Sequence, residues 1–168
     1  MKQTPKTFLI FINVVMVWLL ANFSGCESRK EASEDTASEE EIADTVLYAV
    51  DVINLDSADQ WADKRLQRLD HPKMADMLFD ALYNGDARAV DYFSGEKIPA
   101  EDVREMEESG EFDREELAQI QFEESWYFDP EKARMTKEVH SVLLAWPVFN
   151  KEGEVQAYEA GFVLELNP

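Results

Sequence analysis

The most constraining feature of the 168-residue sequence is a pair of β-rich segments between Ile120 and Val148. In the first segment, large apolar residues alternate with others, as in a strand with one buried face. These residues are Ile120, Phe122, Trp126 and Phe128. Asp129 and Pro130 follow with turn chemistry, and Thr136 to Val148 forms the second segment. The pattern predicts a β-hairpin, and its register is specified because a one-residue slip would turn the aromatic side chains outward.

The second segment is largely apolar on both predicted faces, so we expect a central strand or a partner surface. One face would carry Val139, Ser141, Leu143, Ala145 and Pro147, and the other His140, Val142, Leu144, Trp146 and Val148. The polar residues 150–154 predict a tight turn. Val155 to Leu166 then predicts a third strand, with a bulge at Gly161.

Upstream of the hairpin, the sequence predicts three helices. They cover Gln60–Leu69, Pro72–Tyr83 and Pro99–Glu108, and Gly85 and Gly110 follow the second and third as C-terminal stops. The second is the clearest, because Met74, Met77, Leu78, Ala81 and Leu82 form one apolar face at helical spacing. The residues 86–93 predict a short strand after it.

The segment Thr45–Leu55 fits either a helix or a strand, because its apolar spacing is helical but its β-branched content is that of a strand. We favour a helix with Asp44 as its N-cap. The resulting fold class is α+β. We expect an antiparallel β-meander, with a few helices packed on one face, in a single domain over residues 45–168.

The N-terminal region predicts targeting rather than fold. Residues 1–25 combine two lysines with a short apolar run, the pattern of a secretory signal peptide. Cleavage after Gly25 would leave Cys26 at the new N-terminus, an arrangement that resembles the bacterial lipobox and predicts lipidation of Cys26. An ordinary signal peptide or an uncleaved anchor is the alternative. The acidic, Ser- and Ala-rich residues 26–44 predict a flexible tether between the lipid and the domain.

Composition limits the function. The 36 acidic residues against 16 basic ones give a net charge of −20, which disfavours binding to nucleic acid. Cys26 is the only cysteine, and the two histidines lie far from each other, so we expect no metal or other cofactor. No nucleophile motif or phosphate-binding loop is present, and we expect no enzymatic activity. Tyr127, His140 and Trp146 are the candidate partner surface.

Three stretches of the domain resemble the gliding-motility-associated GldN/PorN family of the bacterial type IX secretion system. They are TVLYAVDVINLDS (45–57), HPKMADMLFDALYNGDARAVDYF (71–93) and QIQFEESWYFDPEKARMTKEVHSVLLAWPV (119–148), and a fourth, weaker likeness covers the last strand. The block from Trp126 to Met135 is the most specific. Together the likeness covers nearly all of Thr45 to Leu166.

The resemblance implies a structural subunit without enzymatic activity. Its partners would be envelope proteins of the type IX secretion and gliding machinery, with which family members assemble into rings beneath the outer membrane. Those members are soluble periplasmic proteins, whereas Cys26 here predicts a lipid. We therefore expect a lipidated paralogue or accessory component, anchored in the outer membrane and facing the periplasm. The alternative is a stand-alone periplasmic ligand-binding or inhibitor lipoprotein that shares the domain.

Overall fold

The computed structural model describes residues Glu39 to Leu166. The predicted signal peptide, Gly25, Cys26 and most of the predicted tether lie outside the described residues. The helices are α1 (Gln60–Leu66), α2 (His71–Asn84) and α3 (Ala100–Ser109), and a 3₁₀ turn covers Arg114–Glu116. The strands are β1 (Glu40–Asp51), β2 (Ala87–Asp91), β3 (Lys97–Ile98), β4 (Gln119–Asp129), β5 (Arg134–Phe149) and β6 (Val155–Leu166). The described chain is therefore an α+β fold, as predicted.

All six strands form one open antiparallel sheet in the order β1-β4-β5-β6-β2-β3. The predicted meander is present as β4, β5 and β6, and each pairs with the next in sequence. The sequence did not indicate how the earlier strands extend it. β1 joins the sheet beside β4, and β2 joins the opposite side beside β6, where Ala87 faces Leu166 and Asp91 faces Phe162.

The preference for a helix over Thr45–Leu55 is wrong. Most of this segment belongs to β1, which pairs with β4 from Glu40 opposite Phe128 to Asp51 opposite Gln119. Local propensity was balanced between the two states, and pairing with a long neighbouring strand decided the outcome. β1 begins at Glu40, so the strand includes residues that the sequence assigned to the tether.

Helix α2 agrees closely with its prediction, but its buried face is rotated. Asp70 accepts a hydrogen bond from the Lys73 amide at the N-cap, and Gly85 ends the helix in the left-handed conformation. The buried residues are Ala75, Phe79 and Leu82, whereas Met77 is 62% exposed. Phe79 faces the core because it contacts aromatic rings from other elements, which the spacing of the methionines could not indicate.

A bulge in β5 alters the predicted faces of this strand. Glu123 faces Ser141 and Glu124 faces Val139, so His140 is an extra residue in β5 with no opposite partner. Val139 consequently packs against the core with Val142 and Leu144, contrary to its predicted face. A further register shift lies between β5 and the part of β6 that contains Gly161, which confirms the predicted bulge.

The core lies between α2, α3 and one face of the sheet. Its main contributors are Phe79, Leu82, Val103, Leu117, Ile120, Val142, Leu144, Phe162 and Leu164. Burial of these side chains against one another supplies the main stabilisation, at about 1.5–3 kcal/mol for each large apolar residue. The opposite face of the sheet contributes none of the residues of this core. Within the described residues, the outer edge of β1 has no neighbouring strand.

Candidate functional site

A cleft of about 800 Å³ lies where the end of α3 and the following loop approach β5 and β6. Its lining divides into two chemical groups. The apolar part includes Ile98, Met106, Phe112, Trp146, Pro147 and Phe162. The acidic part is Asp91, Glu107, Glu111, Asp113, Glu116 and Glu159, and among the described residues no lysine, arginine or histidine lines the cleft. An apolar floor combined with carboxylates is suited to a cation rather than an anion.

Trp146 is held in place on the floor of the cleft by three kinds of contact. Its ring centroid lies 4.9 Å from that of Phe112 and 6.2 Å from that of Phe162. Its indole N–H donates to the backbone oxygen of Asp113 at 2.7 Å. Gly161 lies against the ring so closely that a Cβ there would sit 3.1 Å from Cε3 and nearer still to Cζ3. The absence of a side chain at Gly161 is therefore what makes room for the indole.

The carboxylates of the cleft differ in how well they are neutralised. Arg114 forms an ion pair and hydrogen bonds with Glu107, and its guanidinium lies 4.6 Å from the centroid of the Phe79 ring. The Arg114 hydrogen bonds keep the pKa of Glu107 below its usual range, although burial acts in the opposite direction. Tyr83 also donates a hydrogen bond to Glu107 at 2.8 Å. Burial is the largest cause that raises the pKa of the Tyr83 phenol, and the hydrogen bond to Glu107 raises it further.

The carboxylates of Asp91 and Asp113 accept hydrogen bonds from backbone N–H groups in their own turns. Asp91 accepts from the Ser94 amide at 2.7 Å, which lowers the pKa of Asp91. Asp113 accepts from the Glu115 amide at 2.8 Å and begins the 3₁₀ turn. The remaining three carboxylates, on Glu111, Glu116 and Glu159, are exposed and pair with no described residue.

A further carboxylate, on Glu124 in the hairpin, has hydrogen-bond and ion-pair partners within the described chain. Glu124 is only 3% exposed, and it accepts from the Tyr48 hydroxyl at 2.7 Å and the Trp126 indole at 2.8 Å. The Lys137 ammonium lies 3.0 Å from the same carboxylate, and it also lies over the Trp126 and Tyr48 rings at 4.5 and 5.0 Å. Burial raises the pKa of Glu124, but these three partners outweigh it, and the net shift is downward. The arrangement is a structural ion pair between a buried carboxylate and a lysine whose side chain is 41% exposed.

His140 contacts Ser125, a pairing that invites comparison with a nucleophile and its base. The His140 Nε2 atom lies 2.6 Å from the Ser125 hydroxyl oxygen. That hydroxyl donates its single proton to the backbone oxygen of Asp44, at a register irregularity in β1. The imidazole must therefore donate its Nε2–H to Ser125 rather than accept from it. The two hydrogen bonds connect β1 and β5 to Ser125 of β4 at positions where the pairing of each strand is irregular. They do not prepare Ser125 for nucleophilic attack.

The three predicted partner residues are not brought together. Tyr127 and Ser125 share one face of β4 by strand alternation, so Tyr127 and His140 lie on the sheet face opposite the helices. Trp146 lies on the other face, in the cleft. Sequence reasoning missed the acidic residues that accompany Trp146. The only sequence signal for them was the acidic run around Glu107–Glu116, which is also typical of a solvated surface.

The face that carries Tyr127 and His140 also has an apolar stripe across its centre. Leu143 is the direct cross-strand partner of Val163, which is in turn the partner of Val90. All three side chains are half-buried and lie outside the core. A polar row lies on one side of the stripe, where Ser141 faces both Glu123 and Glu165.

Within residues 39–166, no group of three or more His, Cys, Asp or Glu residues could hold a metal ion. No helix in that range is long and apolar enough to cross a membrane. No protein-family model and no curated protein sequence matches the chain. The resemblance to the GldN/PorN family therefore rests on the three stretches between Thr45 and Val148 and on the last strand.

Proposed function

We propose that this protein is a lipid-anchored, non-enzymatic interaction subunit of the cell envelope, associated with type IX protein secretion and gliding motility. The resemblance over Thr45 to Leu166 supports the association with this machinery. The structural observation that supports an interaction role is the sheet face opposite the helices. On that face, Leu143, Val163 and Val90 form an apolar stripe outside the core, with Tyr127 and His140 on the same face. A partner that covers this stripe would bury apolar area that the chain leaves half-exposed.

Site-specific crosslinking in native envelopes tests the interaction role. A photoreactive phenylalanine analogue placed at Tyr127 should capture an envelope protein of the secretion and gliding machinery. The same analogue at Met77, which is exposed on α2 and lies on the helical side of the sheet, is the matched control and should not. Equal capture from both positions, or normal secretion and gliding after deletion of the gene, would contradict the proposal.

The lipid anchor needs its own test, because Cys26 lies outside the described residues. Cells labelled with palmitate should incorporate it into the wild-type protein and not into Cys26→Ala. Diacylglycerol and an N-terminal acyl chain would together hold the protein at the membrane, since each buried methylene contributes about 0.8 kcal/mol. Equal labelling of both proteins would exclude the anchor while leaving the interaction role open.

A stand-alone binding or inhibitor lipoprotein is the second candidate, and the cleft beside Trp146 favours it. The two candidates make different demands on the molecule. An interaction subunit requires the sheet face, whereas a stand-alone binding protein requires the cleft and a ligand. Normal secretion in a deletion strain, together with a cleft-dependent ligand, would favour the second.

A further inference from the structure

We propose that the cleft beside Trp146 binds a basic segment of a partner protein, with an arginine or lysine side chain seated on the indole. The three carboxylates that have neither a basic partner nor a backbone donor among the described residues, on Glu111, Glu116 and Glu159, would attract the basic side chains of that segment. Binding of such a segment depends on the cleft and not on the opposite sheet face, so we expect it whether the protein acts within an envelope assembly or alone.

The floor of the cleft is an aromatic surface held in a fixed position. Trp146 is half-buried, and Phe112, Phe162 and the hydrogen bond to Asp113 hold it in place. A fixed, partly exposed indole is the best aromatic surface for a cation, and a desolvated contact of this kind contributes about 2 kcal/mol. The volume of about 800 Å³ lies within the usual range for ligand pockets and exceeds what a single ion needs.

The cleft carries negative charge that the described chain does not neutralise. Within the described chain, only Glu107 of the six carboxylates that line the cleft is neutralised by a basic side chain, Arg114. With 16 basic residues against 36 acidic ones, the chain has few cations of its own to supply. The uncompensated charge excludes phosphates and other anions, and it attracts a positively charged group from outside.

The spacing of the cleft carboxylates favours a basic segment over a metal ion. No three acidic side chains among the described residues converge closely enough to ligate a metal, so the cleft carboxylates are spread apart. Spread carboxylates suit a peptide segment with more than one basic side chain, in which each guanidinium or ammonium group meets its own carboxylate, better than a single point charge. The molecule uses the same chemistry internally, where the Arg104 guanidinium lies 4.6 Å from the Tyr83 ring centroid.

Fluorescence anisotropy with the purified full-length protein tests the proposal. The probe is a fluorescein-labelled peptide, Gly-Arg-Leu-Arg-Gly-amide, in about 0.15 M salt to screen long-range attraction. The double variant Glu111→Gln, Glu159→Gln should weaken binding about tenfold. The control, Glu105→Gln, Glu108→Gln, makes the same charge change at exposed α3 positions outside the cleft and should weaken it less than about twofold.

Trp146→Leu then separates the indole from charge, because it leaves the net charge unchanged. It should weaken binding by at least about tenfold, in a protein whose circular dichroism shows that it is still folded. If Trp146→Leu does not fold, the comparison of the Glu111/Glu159 double variant with the Glu105/Glu108 double variant still tests the proposal. Equal losses from both pairs would overturn the proposal, as would no binding by the wild type. Displacement of the peptide by an equimolar amount of spermidine would also overturn it, and would assign the cleft to a polyamine. These results are independent of the crosslinking at Tyr127.

Discussion

The substitution Gly161→Ala tests the packing of the cleft floor most directly. In a strand interior, replacing glycine by alanine ordinarily stabilises a protein by about 0.5–1 kcal/mol, because alanine loses less backbone entropy on folding. Gly161 does not have a positive φ, so its backbone would accept alanine. General rules therefore predict a more stable protein.

The structure predicts the opposite sign. The new Cβ would sit 3.1 Å from Cε3 of Trp146, nearer still to Cζ3, and 3.4 Å from the Leu144 backbone oxygen. Ordinary carbon contacts are about 3.5–4.0 Å, so the indole would have to move by roughly 1 Å. Such a movement costs about 1–3 kcal/mol in overpacking, and it would stretch the 2.7 Å hydrogen bond to Asp113, worth about 1 kcal/mol. After the entropy gain is subtracted, we expect a net destabilisation of about 1–3 kcal/mol.

Urea unfolding followed by far-UV circular dichroism measures this change. The matched background is Trp146→Leu, which removes the atoms that Gly161→Ala would strike. In that background the same substitution should be neutral or stabilising by up to about 1 kcal/mol, so the double-mutant cycle should show a coupling of about 1–4 kcal/mol. A stabilised Gly161→Ala single variant, or the same effect in both backgrounds, would refute the account of the cleft floor.

Three further predictions concern stability. The folded state lowers the pKa of Glu124, so this carboxylate stabilises the protein above its unfolded pKa of about 4.3, and the contribution is lost as the pH falls through the folded value. Glu124→Gln should therefore lower the urea midpoint at pH 7 more than at about pH 3.5, whereas exposed Glu105→Gln should change neither; a pH-independent loss would contradict this. Ser125→Ala should cost about 1–3 kcal/mol, because it removes hydrogen bonds with both the Asp44 backbone oxygen and His140, each worth about 0.5–1.5 kcal/mol. An unchanged urea midpoint would contradict a stabilising role for these two bonds. Gly85→Ala should cost about 1 kcal/mol, because φ is +86° there although a Cβ would meet no atom, and Gly85→Asn should cost less; equal thermal melting of wild type and Gly85→Ala would contradict the assignment of strain.

The candidate site was only partly predictable. Trp146 was predicted as a partner residue because it is a large aromatic residue on a strand whose two predicted faces are both largely apolar. Its acidic neighbours could not be predicted, because Asp91 and Glu159 are distant from the α3 loop in sequence. They meet only because β6 pairs with both β5 and β2. The separation of Trp146 from Tyr127 and His140 follows from strand alternation and from the bulge at His140, which sequence periodicity does not reveal.

What the sequence determined by itself was local. Alternating aromatic residues specified the hairpin, Gly85 and Gly110 specified helix ends, and the turn after Asp129 follows from its carboxylate accepting two backbone N–H groups. These features depend on residues that are neighbours in the chain. The tertiary structure decided the features that depend on distant partners. It made β1 a strand because β4 offered hydrogen bonds along its whole length, and it rotated α2 because Phe79 found aromatic partners on β6 and in the loop after α3. It also placed Trp146 beside the acidic part of the cleft rather than beside Tyr127, because strand order and bulges determine which residues meet.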